Sequence, residues 1–354
     1  MPDWTRSMKQ TYRFAIIDPV TWGIIGYRTD ITDCSIKYST SSDTISSADI
    51  SIVGESSEQY IQVYLVTEQD NIEEETCLGT FLFQGSSASF DGKISTISLS
   101  GYSPLTELKE TMPPVGYYVG YKTNIMNYVN DILDSYMRAP SIAQTCDKTA
   151  SSTIVAESDD TWFSFITTLL DQIDYEFTIT AEGVVSTREI PTFAKMQPVW
   201  VYTDDNSSIL YPSASNDNDL YSIPNVYEVI TTGTSGEAID VVVTNDDPNS
   251  PTSTVSRGRE IRTRDTSPSI SGDVNETSVT EYAKKALKNA SSLQHTVTYT
   301  HGYCRVEVGD CVMLNYTRAG LSMVKAYVTE QSIKCETPCS VEETAVYTET
   351  LWGD

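Results

Sequence analysis

A mainly β chain with an α+β insertion is the fold class that the sequence predicts, framed by two small antiparallel β-barrels per chain. Three observations carry it. Short alternating apolar runs separated by turn signals fill residues 1–114. Helical spacing begins only after Tyr117. A Gly-Asp pair between runs of β-formers, Gly309-Asp310, anchors a second β-rich stretch at the other end.

The first stretch reads strand by strand. Thr11 to Asp18, Gly26 to Ile31 and Cys34 to Tyr38 are β-formers, and Ala48, Ile50 and Ile52 alternate with Asp49 and Ser51. Ile61 to Thr67 follows. Five acids in the eight positions from Glu68 to Glu75 predict a solvent-exposed loop, because so many carboxylates cannot be buried. Leu78 to Gln84 and Ile94 to Tyr102, with a turn at Asp91-Gly92, close a domain over residues 1–114.

Residues 115–195 read as a small α+β domain. Ile125, Tyr128, Val129, Ile132, Leu133 and Tyr136 share one helical face, with Thr123 as expected N-cap. A second helix, about Asp160 to Ile173, is apolar over more than half its circumference and should be buried. Tyr175 to Thr180 and Val184 to Arg188 form a hairpin with Gly183 in its turn.

The remainder, 196–354, is expected to be the second barrel, interrupted by a loop and helix at about 246–292. Val199 to Tyr202, Val226 to Thr231 and Glu237 to Asn245 look like strands, around a polar loop holding Asn216 to Asp219. The helix spans about Ser278 to Asn289, with Ser278 and Glu281 as a capping box. Tyr303 to Tyr316 then reads as a two-residue hairpin with Gly309 in a type II′ turn, setting Val306 opposite Met313 and Arg305 opposite Leu314. Val324 to Thr329 and Val341 to Tyr347 complete it. Strand order and spacing match those of Ile61 to Tyr102, without residue identity; a duplication and two unrelated barrels both fit.

The bulk numbers limit function. A chain of 354 residues allows two or three domains. A net charge of −26 argues against nucleic-acid binding as the main activity, which needs clustered Lys and Arg. Such charge suits a surface that must not hold polyanions, such as a conduit for DNA, or plain solubility. No apolar run approaches the roughly 20 residues of a membrane span, and Met1 to Arg6 lacks the apolar core of a signal peptide. Seven cysteines, an odd number, read as free thiols of a protein made in a reducing cytosol.

No catalytic, cofactor or metal site is expected. His295 and His301 fall on one strand face, as surface or half-buried residues. Cys304, Cys311, Cys335 and Cys339 have the wrong spacing for a zinc knuckle. The Asn216 to Asp219 loop lacks the Gly and closing Glu of an EF-hand and reads as solvated. No nucleophile elbow, P-loop, dinucleotide fingerprint or metalloprotease motif is present. The one basic cluster, Arg257, Arg259, Arg262 and Arg264, fits a contact with acidic surface on a neighbouring subunit or a solvated linker.

Three stretches, taken in order, resemble the central hub protein of long-tailed bacteriophages, a family related to type VI secretion spikes. They are Leu78 to Gly85 leading to Gly101-Tyr-Ser-Pro-Leu105; Ile132-Leu133, Thr161-Trp-Phe and Leu169-Leu170 with the following hairpin; and Ile223-Pro-Asn-Val226 through Arg257-Gly-Arg259 to Val308-Gly-Asp-Cys-Val312. The resemblance implies a structural homotrimer whose six barrels adapt a sixfold tail tube to a threefold spike or fibre and line the DNA channel. It implies as partners a distal tail or tube protein, a spike or tail-fibre protein and the tape measure protein. It implies a place in the virion tail tip or baseplate after assembly in the host cytoplasm, with no enzymatic role. The chain's end at Asp354, without an appended lytic domain, fits that expectation. The alternative is a carbohydrate-binding adhesin, suggested by 22 Tyr and five Trp.

Overall fold

The computed structural model describes residues 2–55, 57–206, 208–268, 270 and 273–352. Asp354 lies outside them. Two compact units divide the chain: Met1–Ser213 with Tyr299–Thr344, and Ala214–Thr298 with Ala345–Asp354.

The first unit begins with β1 (Lys9–Ile17), β2 (Ile24–Arg28), β3 (Ile31–Ser39), β4 (Ser46–Ile52), β5 (Gln59–Gln69), β6 (Ile72–Phe90) and β7 (Ser95–Tyr102). The expected acidic loop is instead a tight hairpin, with Gln69 paired to Ile72. Asp70 and Asn71 hold φ of 53° and 62°, as a type I′ turn requires, and short polar side chains tolerate that region. The acids escape burial by facing solvent from paired strands; Arg13 bridges Glu73 and Glu75.

The α+β segment follows: α1 (Thr106–Glu110), β8 (Tyr118–Val119), α2 (Ile125–Tyr136), β9 (Ile154–Val155), α3 (Trp162–Asp171), β10 (Tyr175–Ile179) and β11 (Val185–Glu189). The cap of α2 falls one residue after the expected Thr123. Asn124 caps α2, and Thr161 caps α3 in a box with Ser164. Their apolar faces meet: Ile125, Val129, Ile132 and Leu133 pack with Trp162, Phe165, Ile166 and Leu169 in one core. Glu107, buried on α1, ties this segment to the first strands, accepting from Tyr60 Oη at 2.6 Å and Arg138 Nε at 2.6 Å.

Next come β12 (Trp200–Thr203) and β13 (Leu210–Asn218), so Asn216 to Asn218 belong to a strand where a polar loop was expected. Then follow β14 (Val226–Thr232), β15 (Ala238–Thr244), α4 (Thr254–Arg257), β16 (Arg262–Asp265), α5 (Glu276–Ala290) and β17 (Ser292–Gly302). The chain closes with β18 (Cys311–Asn315), β19 (Val324–Lys334) and β20 (Ser340–Thr350).

The second unit is built on the sheet β15–β14–β16, on which α5 packs Val279, Ala283 and Leu287 against Val229, Ile239, Val241 and Val243. Asn275, rather than Ser278, caps α5, with Ser278 as the other half of the box. The Ser- and Thr-rich stretch before it is folded over two buried amides. Asn225 Nδ2 donates to the carbonyls of Thr252 and Arg259, and Asn245 Nδ2 donates to Ser250 Oγ. Residues 196–354 are thus shared between the two units, because β12, β18 and β19 hydrogen-bond within the first while β14 to β16 form a sheet of their own.

Within the first unit the strands pair in the order β2–β1–β5–β6–β7–β4–β3–β19–β20, and β18 pairs with Val324 to Tyr327 of β19 while β3 takes Glu330 to Lys334. The link is β3 on β19, antiparallel, with Ile36 opposite Ile333. The hairpin expected at Gly309-Asp310 does not form: residues 303–310 are not a strand, and β18 pairs Met313 with Lys325 of β19 and, in parallel, with Val201 of β12. Gly309 and Asp310 instead close a turn in which the Asp310 N–H donates to Glu307 O at 3.1 Å. Gly309, at φ 93°, sits third in that turn, the position at which a type II turn requires a positive φ.

Candidate functional site

Three surroundings in the first unit merit a functional reading: a crevice, a buried polar network and an exposed apolar rim. The crevice, of about 150 Å³, opens between Tyr38 and Leu78 of the first strands, Glu176 to Ala181 of the β10–β11 hairpin, and Tyr303 to Val308. Two turns set its width. The β10–β11 turn docks on β5 and β6, its Glu182 and Ala181 carbonyls accepting from Gln62 Nε2 at 3.0 Å and Thr80 Oγ1 at 2.8 Å. Gly183 there has φ 81°, and a Cβ would lie 2.9 Å from Thr80 Cβ. On the other side the Gly309 N–H donates to Val328 O at 2.8 Å, and a Cβ on Gly309 would fall 2.6 Å from the Arg188 guanidinium.

The crevice is polar but poorly equipped for catalysis. Arg188 Nε donates to Glu176 at 2.8 Å. Burial, then repulsion from Asp310 and Glu182, lifts the Glu307 carboxyl above its ordinary range, with Arg188 pulling the other way. Burial also lifts Asp310, against the opposing pull of Arg188. Burial pushes the Cys77 thiol up to about 12, so it stays protonated and weakly nucleophilic. Among the described residues no histidine lines the crevice.

The two histidines do share one strand face, and both are buried, where a surface or half-buried placement was expected. In the first unit His301 Nε2 lies 3.3 Å from Glu343 Oε2 and 3.1 Å from Tyr202 Oη. Glu343, fully buried, also accepts from Gln331 Nε2 at 2.8 Å and from Tyr299 Oη. Burial alone would lower the His301 pKa, but its bonds to Cys304 and Glu343 outweigh that and lift it to about 10. The imidazolium and carboxylate therefore face each other as a buried ion pair. Cys304, His301 and Glu343 form a superficially catalytic line. However, the Cys304 sulfur is 3.9 Å from His301 Nδ1, bonded to Tyr202 Oη and 2% exposed, so no substrate can reach it. In the second unit His295 bridges Asn216 and Glu349 and stacks on Tyr347 at 4.4 Å. Alternation along β17 was the signal for both, since each buried position is two residues from the next.

The predicted basic cluster lies in the second unit, and three of its members have partners within the chain. Arg257 donates to the carbonyls of Ile223 and Leu220. Arg262 and Arg264 flank the buried Glu228 at 3.5 and 2.8 Å, and the Arg264 hydrogen bond holds that carboxyl below its usual range. The stretch is therefore not a loose linker: Arg262 and Arg264 sit on β16, paired to β14.

The apolar rim is where unpartnered surface gathers. Residues 87–95 at the end of the β6–β7 hairpin are exposed on both faces, with Phe90 71% exposed near the tip and Ile94 beside it. At the end of the strand order β2 has a neighbour on one side only, among the described residues, and shows Ile25 and Tyr27 to solvent. Open edges and two-sided exposed hairpins are surfaces suited to another chain.

The chain is similar in structure to a tail protein from Neisseria meningitidis MC58, with a TM-score of 0.61 and 13% identity, over 95% of this chain and 96% of that one. It is also similar to the 43 kDa tail protein of prophage MuSo2 from Shewanella oneidensis, with a TM-score of 0.60 and 11% identity, over 94% and 97%. No family model and no curated protein matches it by sequence. The fold is that of phage tail proteins. The resemblance read from the order of parts holds at that level, along with the mainly β class and the α+β insertion.

Proposed function

We propose that this chain is a structural component of a bacteriophage-type tail, a hub that works by assembly rather than by catalysis. The observation that carries this reading is the shared fold with two tail proteins along nearly the whole of each chain. Supporting it, β5–β6–β7 and β18–β19–β20 repeat one order of three neighbouring strands. Three copies would then supply six such groups, the number needed to meet a sixfold tube above a threefold spike or fibre. The net charge of −26 suits a channel wall along which DNA slides without adhering. The exposed β6–β7 hairpin and the open β2 edge are the surfaces we assign to neighbouring copies or to the tube protein.

Sedimentation of the purified chain, alone and with the tail proteins encoded beside it, tests the reading. The expected result is a trimer, formed alone or on addition of the tube protein, and density for the chain at one end of the tail in averaged electron micrographs. A chain that stays monomeric with every tail protein and is missing from purified tails would overturn it.

A further inference from the structure

The β3–β19 seam brings together two cysteines from opposite ends of the chain. The register runs from Glu330 opposite Ser39 to Lys334 opposite Ser35, and one step further places Cys335 opposite Cys34. The Cys335 N–H donates to Cys34 O at 3.0 Å, which fixes that pairing at the backbone. Both side chains belong to one core, Cys34 within it and Cys335 packed against it, and both cysteines are free thiols. Directly opposed residues joined by backbone bonds in an antiparallel pair have Cα atoms about 5.5 Å apart, inside the span a disulfide bridges. Their Cβ atoms, at roughly 4.5–5.5 Å, are wider apart than the roughly 3.8 Å typical of that bond. A bridge here needs a small inward pull of both strands, and strained disulfides are the readily reduced ones.

We propose that Cys34 and Cys335 form a reversible disulfide that fastens the two ends of the chain once the protein leaves a reducing compartment. A low-molecular-weight disulfide is the oxidant. Cys335, the more exposed of the two, attacks one sulfur of the oxidant as thiolate, forming a mixed disulfide and expelling one small thiolate. Cys34 then loses its proton and attacks the Cys335 sulfur, expelling the second. Two protein thiols are oxidised, one small disulfide is reduced to two thiols, and the two protons end on those thiols. The Cys34 side chain, together with burial, holds the Cys335 thiol above its ordinary range, so exchange is slow while the seam is closed. Cys339, buried in the same core, is the competing thiol.

Peptide mapping of the full chain, incubated folded with oxidised glutathione and alkylated, tests this. A linked peptide pair containing Cys34 and Cys335 is expected, with a thermal midpoint several degrees above that of the dithiothreitol-treated protein, because the closed loop spans most of the chain. Cys335→Ser and, separately, Cys34→Ser should abolish both, and Cys339→Ser should leave both in place. Full-length folded protein with both thiols still alkylatable after prolonged exchange, or a Cys335–Cys339 link in their stead, would overturn the proposal. So would an unchanged midpoint in protein carrying the link.

Discussion

The strands β5–β6–β7 and β18–β19–β20 follow the same order, but the second group adds a buried polar network to its apolar filling. Around the first, Ile50, Ile61, Val63, Leu65, Phe81, Phe83 and Leu99 make a hydrocarbon core. Around the second, the fully buried Glu343 gathers Tyr202, Tyr299, His301 and Gln331. Outer neighbours differ too: β1 runs antiparallel to β5, whereas β12 runs parallel to β18. Hydrocarbon contacts are non-directional and reward any filling of the right volume. A buried carboxylate rewards only the arrangement that satisfies all its acceptor sites. Hydrocarbon burial is thus common to both groups, and the second also depends on a polar network that fails in its own way.

Glu343→Ala should have the largest effect. It strands a buried imidazolium and leaves two tyrosine hydroxyls short of an acceptor, at a cost of about 3–5 kcal/mol in urea unfolding. A loss under about 1 kcal/mol would show that the network merely occupies space. Phe81→Ala should cost a similar ~3–5 kcal/mol, as a cavity in the hydrocarbon core. The pair is separated by pH. The folded His301 pKa, about 10, is raised above its ordinary 6.5, so its stabilisation is complete below about 6.5 and is lost as pH rises through about 10. Stability of the parent and of Phe81→Ala should therefore fall over that window, while His301→Gln flattens the fall.

Gly309→Val comes next. It forces a β-branched residue to φ 93° and into the Arg188 guanidinium, for about 1–3 kcal/mol of strain. Pairing it with Arg188→Ala should recover the collision but not the backbone strain, so a complete rescue would contradict the turn geometry. Smallest is Arg13→Ala on β1, facing the acidic hairpin, at most about 1 kcal/mol and weaker in high salt, because the bridges to Glu73 and Glu75 are exposed.

Local chemistry made much of this legible in the sequence. The Asp91-Gly92 turn, both apolar helices of the α+β segment and α5 follow from spacing and turn residues. Misreadings arose where two local solutions share one signal. A Gly-Asp pair serves a type II turn as well as a hairpin, and only the distant docking of Gly309 on Val328 decides between them. An acidic run serves a loop or a solvent-facing hairpin, and Asp-Asn at φ > 0 selects the second. The His301–Glu343 network was invisible because its members come from four separate segments. Parity along β17 could have placed His301 inside, but nothing near it in sequence names its carboxylate.

The β3–β19 seam also sets a schedule. During synthesis β3 leaves the ribosome among the first strands and can pair with β4 at once. Its other edge must wait for Ile333 and its neighbours, far later in the sequence. Until then a strand edge stands open, the feature by which chains aggregate or are taken by proteases. Any product truncated before β19 keeps that edge open permanently. The seam thus ties the closing of an early strand's edge to the arrival of a strand made much later.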